Sequence, residues 1–413
     1  MSTVVGTLTP SHAGPQPPRI TTSDIWAQFK IDIAGKEVQT AETSSHSWLA
    51  NQLGHVCLGI ILGTWMSVAL SRGLLLVVDW FNLPVSWALP FPWDNIAGSV
   101  LATVGVAWWE WRAYRKEVRE AAGGFPLDRK LLRDNAITAA SYMALGVAFA
   151  LAFRYFAFGP HDRLLGVPSV IWCAACFLAL AFIAVLAALP WLRQKIVWQK
   201  AALPYLFRLA DAQPATTDDA NTLQALIDSR PPPDYPARQI VIGGPIGSGR
   251  TEIGAGIGTE FAFRNVSVRY LSLATLLEFA TRSDNPHFFD DIGPANLVYW
   301  PWTRAQVVIV DDIGPVLTGN AQSRLREFVE ILRTQLDGVQ TVLQQCHTVW
   351  VIGDAAGDGT IVADDDLLDR YAREINDYCA RRGNARQKAV VVQLEPGDPR
   401  AIPKVPRARV RCT

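Results

Sequence analysis

The feature that most constrains this chain is a set of four long apolar runs packed into one third of its length. They fall at about Leu49–Leu70, Phe91–Trp111, Ala136–Phe158 and Pro168–Leu192. A helix that crosses a bilayer needs roughly 20 apolar residues. Four runs of that size exceed what one soluble core requires, so 48–192 reads as a transmembrane domain of about four helices. Eleven of the fifteen tryptophans lie between Trp48 and Trp198, many beside the ends of the runs, where interfacial belts form. The apolar sequence after Arg72, Gly73–Trp93, holds Asp79, Pro84, Pro90 and Pro92. Proline ends or kinks helices, so this stretch reads as interfacial or re-entrant. A longer, tilted first helix with Arg72 snorkelling is the alternative.

Basic residues set an expected orientation. Arg112, Arg115, Lys116, Arg119, Arg129, Lys130 and Arg133 separate the second and third runs, and Arg193, Lys195 and Lys200 follow the fourth. The opposite loops carry little beyond Arg72 and Arg163. The positive-inside rule places both termini in the cytoplasm, and the expected location is a bacterial inner (plasma) membrane. The first 45 residues are polar and show no signal peptide. Asn51, Gln52 and His55 sit at the start of the first run and suit interfacial hydrogen bonding. No run carries a carboxylate ladder or a central charge pair, which argues against a channel or transporter. Cys173 and Cys176 form a CxxC inside an apolar helix, where packing is the simpler reading. With Cys57, Cys346, Cys379 and Cys412 they make no disulfide framework.

Beyond this domain, 193–236 reads as a linker because Gln213–Asp219 and Pro231–Pro236 are rich in Pro, Thr and Asp. Residues 1–47 read as a cytoplasmic segment. The tail 397–413 carries Lys404, Arg407, Arg409 and Arg411 and reads as solvated, or as a binder of anionic lipid or nucleic acid. Net charge is zero over 413 residues, so no global basic field points to nucleic acid.

Residues 237–396 carry the chemistry. The β-branched run Arg238–Gly243 is followed by Gly244-Pro-Ile-Gly-Ser-Gly-Arg-Thr251 and then by a helical pattern. Strand, glycine-rich loop and helix form the setting of a P-loop. Gly244, Gly247, Ser248 and Gly249 let backbone N–H groups converge on phosphate oxygens at a helix N-terminus. Thr251 offers a hydroxyl to Mg²⁺. Arg250 stands where lysine is usual, and its longer planar head makes that exchange non-conservative. About 60 residues on, Gln306–Asp312 is a buried strand ending in two carboxylates. Asp311 suits the Mg²⁺ shell and Asp312 the polarisation of an attacking water. Further strands are expected at Val266–Leu271, Thr348–Gly353 and Ala389–Leu394. Helices are expected at Leu273–Arg282, from Asn320 to about Gln345, and at Asp366–Arg382. Alternation of this kind implies a parallel sheet covered on both faces. The connector Asp284–Arg304 is long and aromatic. It suits partner contact or packing on the sheet edge, and His287 with Asp290 and Asp291 leaves a metal site open.

Over Arg238–Leu394 the chain resembles the AAA+ class of P-loop ATPases. The Asp311–Asp312 pair is most similar to the helicase-loader and replication-initiator branch. The resemblance implies ATP and Mg²⁺ as cofactors and a five-stranded 5-1-4-3-2 sheet. It implies Asp354 as a sensor of the γ-phosphate, and an arginine finger among Arg381, Arg382 and Arg386 that reaches a neighbour's nucleotide in a ring or open homo-oligomer. The chain departs from the family in Arg250, in lacking a helical lid after the fifth strand, and in having Ser272-Leu-Ala-Thr275 where a pore loop would stand. Three functions follow as expectations: a membrane-anchored ATPase switch or motor, a non-hydrolysing nucleotide-binding scaffold or sensor, and a membrane-tethered nucleic-acid handler. The first is favoured by the retained Asp312. A cytoplasmic protein partner suits any of them.

Overall fold

In the computed structural model, the residues described are 15, 17, 20–27, 44–82, 93–120, 129–158, 163–164, 167–204, 206–209, 212–214, 216–229, 236–245, 247–281, 300, 302–353, 365–379, 389–394 and 407–412. The chain divides into two compact units, one within Ile25–Arg193 and one built on Gln194–Thr413.

The first unit is helical: α1 (Ser44–Trp80), α2 (Trp93–Glu120), α3 (Arg129–Phe158) and the greater part of α4 (Ser169–Lys200). Helices α1, α2 and α3 pack on one another. The α1–α3 crossing is set by two glycines. A Cβ on Gly59 would come within 2.0 Å of Met143 O, and one on Gly146 within 2.1 Å of Val56 O. Small residues that let backbones touch are typical of helix pairs in membranes. Helix α4 joins α3 through Thr138 Oγ1, which donates to Ala187 O at 3.0 Å, and through the Phe149–Phe177 ring contact.

Among the described residues, three helices are long and apolar enough to cross a membrane: Asn51–Trp80, Arg133–Phe153 and Phe177–Lys200. Their apolar side chains point outward, with Trp65 71% exposed and Leu178 66% exposed. The expectation of four such helices is met by three among the described residues. Helix α2 is not one of them: Asp94 stands in its first turn and Glu110 and Arg112 close its apolar stretch, while Phe91 and Pro92, where the expected run begins, lie outside the described residues. Of the two readings of the stretch after Arg72, the longer first helix is the one seen as far as Trp80, and 83–92 lie outside the described residues. Helix α1 runs unbroken to Trp80, and its 37 residues span about 55 Å, well beyond a bilayer core.

The second unit is a seven-stranded sheet with helices on both faces. Its strands are β1 (Gln213–Pro214), β2 (Gln239–Gly244), β3 (Val268–Ser272), β4 (Val307–Asp311), β5 (His347–Gly353), β6 (Val390–Leu394) and β7 (Arg407–Cys412), arranged β1-β7-β6-β2-β5-β4-β3. The β6–β7 pair is antiparallel and every other pair is parallel. The expected five-stranded, all-parallel sheet is therefore corrected: two further strands extend the edge beyond β6. Strands β2 and β4 are buried along their whole length, as central parallel strands must be.

The helices of this unit are α5 (Thr217–Asp228), α6 (Arg250–Phe263), α7 (Leu273–Thr281), α8 (Ile313–Val316), α9 (Ala321–Glu330), α10 (Gln340–Leu343) and α11 (Asp365–Cys379). Neighbouring residues of β2 show which face two of them take. Ile242 meets Gly254 of α6, whereas the space at Gly243 is filled by Leu368 of α11. Successive strand residues point to opposite faces, so α6 and α11 cover opposite sides. The single helix expected from Asn320 to Gln345 is broken. Asn320 caps it through Ser323 N, but a π-helical turn at Ile331–Gln335 and a 3-10 turn at Asp337–Val339 intervene before α10. Gly338 and the bond from Thr334 Oγ1 to Glu330 O (2.7 Å) lie at the break.

Two regions read as peripheral belong to this fold. The linker 193–236 supplies β1, α5 and a buried set that includes Ile196, Val197, Trp198, Ala201, Leu203 and Leu209. Trp198 Nε1 donates to Thr259 Oγ1 at 3.3 Å, and Arg208 pairs with the buried Glu260 at 2.8 Å. The tail supplies β7, whose Val410 N donates to Asp219 Oδ1 at 2.6 Å.

Candidate functional site

The site lies at the C-terminal ends of β2, β5 and β4, three adjacent strands. From β2 the chain enters the glycine loop. Gly247 (φ 75°) and Gly249 (φ 86°) occupy the left-handed region, which glycine enters without steric cost. Gly249 then serves as N-cap of α6 without any side-chain cap. The first turn of α6 therefore presents backbone N–H groups to the loop, with the partial positive charge of a fourteen-residue helix behind them. Ser248 is buried, at 3% exposure, and its Oγ has no hydrogen-bond partner among the described residues. An orphaned hydroxyl in a glycine loop at a helix N-terminus fits a phosphate group. Thr251 stands half-buried in the first turn of α6.

Arg250 shows what the lysine replacement does here. Its Nη1 donates to Gly244 O at 2.9 Å. Its guanidinium also lies over Gly353 at the end of β5, where a Cβ would come within 2.6 Å of Nη1. The head group thus bridges the start of the glycine loop and the neighbouring strand.

From β4, Asp311 is 3% exposed and both its oxygens accept hydrogen bonds. Tyr270 Oη donates to Oδ2 at 2.5 Å, and Asp312 N donates to Oδ1 at 2.7 Å. Asp312 is a non-glycine residue in the left-handed region (φ 55°, ψ 37°). Asp tolerates that conformation better than most residues, at some strain. Desolvation, and then the charge of Asp311, push its carboxyl above the usual carboxylate range. A carboxylate with a raised pKa takes a proton more readily, which suits a base for water. The turn is held against β5 at Gly314, where a Cβ would meet Gly353 O at 2.4 Å.

The structure thus brings Gly244, Gly247, Ser248, Gly249, Arg250 and Thr251 to the same edge of the sheet as Asp311 and Asp312. Thr251 and Asp311 supply hydroxyl and carboxylate oxygens, the hard donors that Mg²⁺ takes. Asp354, Arg381, Arg382 and Arg386, expected as sensor and finger, lie outside the described residues, as do His287, Asp290 and Asp291. Trp302, at the end of the aromatic connector, is buried and stacked on Phe279 at 5.5 Å, so that end packs on α7. Sequence reasoning missed Tyr270. The signal was register: Ser272 pairs with Asp311, so Tyr270, two residues back, shares its face.

No family model matches the chain, and no curated protein matches it. Among solved structures, the crystal structure of the DnaC helicase loader is similar at a TM-score of 0.25 and 12% identity, over 45% of this chain and 93% of that chain. A likeness of that size carries no argument about function.

Proposed function

We propose that the second unit binds ATP with Mg²⁺ and hydrolyses it, as an AAA+-like switch or motor that α1, α3 and α4 anchor at the cytoplasmic face of a membrane. One observation carries the reading: a glycine loop opening a buried helix, and a pair of carboxylates, converge at one edge of three adjacent parallel strands. In such a site the loop amides, Ser248 and Arg250 hold phosphates. Thr251 and Asp311 hold the metal, which would draw charge off the phosphoryl oxygens when bound. Asp312 orients the water. The test is single-turnover ATP hydrolysis by the full chain in detergent, beside Asp312→Asn. Wild-type turnover should exceed that of the variant by about 10²-fold or more, with ATP binding retained in both. Equal turnover overturns hydrolysis.

Binding without turnover is the second reading, favoured by the bond from Arg250 to Gly244 O, which engages the expected phosphate cation with the protein itself. The nucleic-acid reading is weakened in one of its two supports, because Arg407, Arg409 and Arg411 lie in a sheet strand rather than a free tail, while the loader-like Asp311–Asp312 pair stays. The nucleotide-dependent homo-oligomer rests on Arg381, Arg382 and Arg386. Imaging particles with and without ATP and Mg²⁺ tests it, and an unchanged monomer overturns it.

A further inference from the structure

We infer that Tyr270 is a positioning residue for the metal-holding carboxylate of Asp311. The inference rests on the nucleotide reading and adds a residue to it. A carboxylate turns about its last side-chain bond unless both oxygens are held. Here each oxygen has its own donor: the Asp312 amide on Oδ1 at 2.7 Å and the Tyr270 hydroxyl on Oδ2 at 2.5 Å. The amide fixes one oxygen through the chain itself. The phenol is the only side-chain donor seen on the other among the described residues, so it sets the carboxylate plane. Two of the roughly four acceptor positions of the carboxylate stay open for a cation or its water shell.

The phenol is itself held. Tyr270 sits in β3 opposite Ile309 of β4, and its N–H donates to Ala201 O at 2.8 Å. Just before it in the strand, Arg269 Nη1 donates to Lys200 O at 2.9 Å, and Val268 O accepts from Trp300 Nε1 at 3.2 Å. A donor on a strand pinned at three successive residues has a defined place for its oxygen. With Asp311 buried, the bond also operates in a low-dielectric setting where it is strong. Hydrogen-bond partners of metal-ligating groups orient them, and their loss costs about 10–100-fold in metal affinity.

The simplest alternative is that the ring of Tyr270 only fills space. Tyr270→Phe keeps the ring and removes the donor, so it separates the two. Mg²⁺ is titrated into the full chain in detergent at a fixed concentration of a fluorescent ATP analogue. Affinity for the analogue in EDTA and thermal melting in EDTA are measured beside it. The half-saturating Mg²⁺ concentration should rise about tenfold in Tyr270→Phe, with metal-free affinity and melting close to wild type. An Mg²⁺ curve superimposing on wild type overturns the inference while leaving the nucleotide reading intact. A parallel fall in metal-free affinity and melting also overturns it, because that is loss of packing. Absence of analogue binding in wild type, with or without Mg²⁺, overturns both.

Discussion

Gly314 and Gly353 both lack a side chain at crowded points, yet their replacement should have different consequences. A Cβ on Gly314 would meet the Gly353 carbonyl, which is backbone and cannot step aside without moving β5. Gly314→Ala should cost about 1–3 kcal/mol in urea unfolding. A Cβ on Gly353 would instead meet the guanidinium of Arg250, the far end of a flexible side chain. Gly353→Ala should leave stability within about 1 kcal/mol but dislodge Arg250 from Gly244 O. That bond competes with any phosphate for the same cation, so weakening it by about 1 kcal/mol should tighten nucleotide binding about fivefold. Unchanged affinity in a calorimetric titration would show that the bond does not compete. A second residue sets a pH dependence. His347 is fully buried, with Nδ1 accepting from Arg238 N at 2.9 Å. Burial, with Arg238 adding to it, lowers its pKa from 6.5 to about 3. Between those values the unfolded chain binds the extra proton and the folded one does not, so stability falls as pH drops below 6.5, by up to about 1.4 kcal/mol per unit. His347→Asn keeps an acceptor and removes the titration. Its urea midpoint should start lower, through lost packing on Phe261, yet depend less steeply on pH between 6.5 and 4. Parallel slopes would exclude His347 as the source.

At the scale of elements, Asp219 joins two that lie far apart in the chain. Its Oδ2 accepts from Thr216 N at 2.8 Å, completing a capping box at the start of α5, while Oδ1 accepts from Val410 N of β7 at 2.6 Å. Asp219→Ala removes the reciprocal arm of the capping box, while Thr216 Oγ1 still accepts from the amide of residue 219, and it leaves a buried amide unpaired at about 1–3 kcal/mol. Thermal unfolding should therefore show a loss of about 1–3 kcal/mol, with hydrogen exchange at Val410 accelerated. A loss confined to α5 would show that the bond to β7 contributes nothing. This pair also marks where sequence reading stopped. The β-branched runs of β2, β4, β5 and β6 and the alternation of strand with helix were legible because buried parallel strands are uniformly apolar. Strand β7 was not, although Arg-Ala-Arg-Val-Arg-Cys alternates with period two, because its charges suggested a solvated tail. The broken helix after Asn320 was missed because the break at Ile331–Gln335 carries no proline. In the site, the glycine loop and carboxylate pair are local in sequence and so were visible. The Tyr270 bond depends on strand register, and the seat of Arg250 depends on a glycine about 100 residues away.

For the whole molecule, the question is where the second unit begins. Composition placed its start near residue 237, after a Pro-rich stretch. The structure places it near Gln194, because α6 is buried on all sides. Its residues Ile253–Ala262 cannot all face the sheet, and the remainder is covered from outside. Leu203 lies at Gly258, and Phe207 and Leu209 at Gly256. Such a helix shows no amphipathic stripe, which is the pattern of an element with packing partners on every face. A fragment of residues 237–413 would expose that cover site. Losing the burial of Trp198, Leu203 and Leu209 alone removes about 5–9 kcal/mol, comparable to the total stability of an ordinary domain. A fragment of residues 194–413 keeps them, together with β1, α5 and the Arg208–Glu260 pair. The longer fragment should elute as a defined species and unfold cooperatively in urea, whereas the shorter one should aggregate or bind hydrophobic dyes without a transition. If 237–413 unfolds at the same urea midpoint as 194–413, the segment after α4 is only a tether, and the boundary belongs where the prolines suggested.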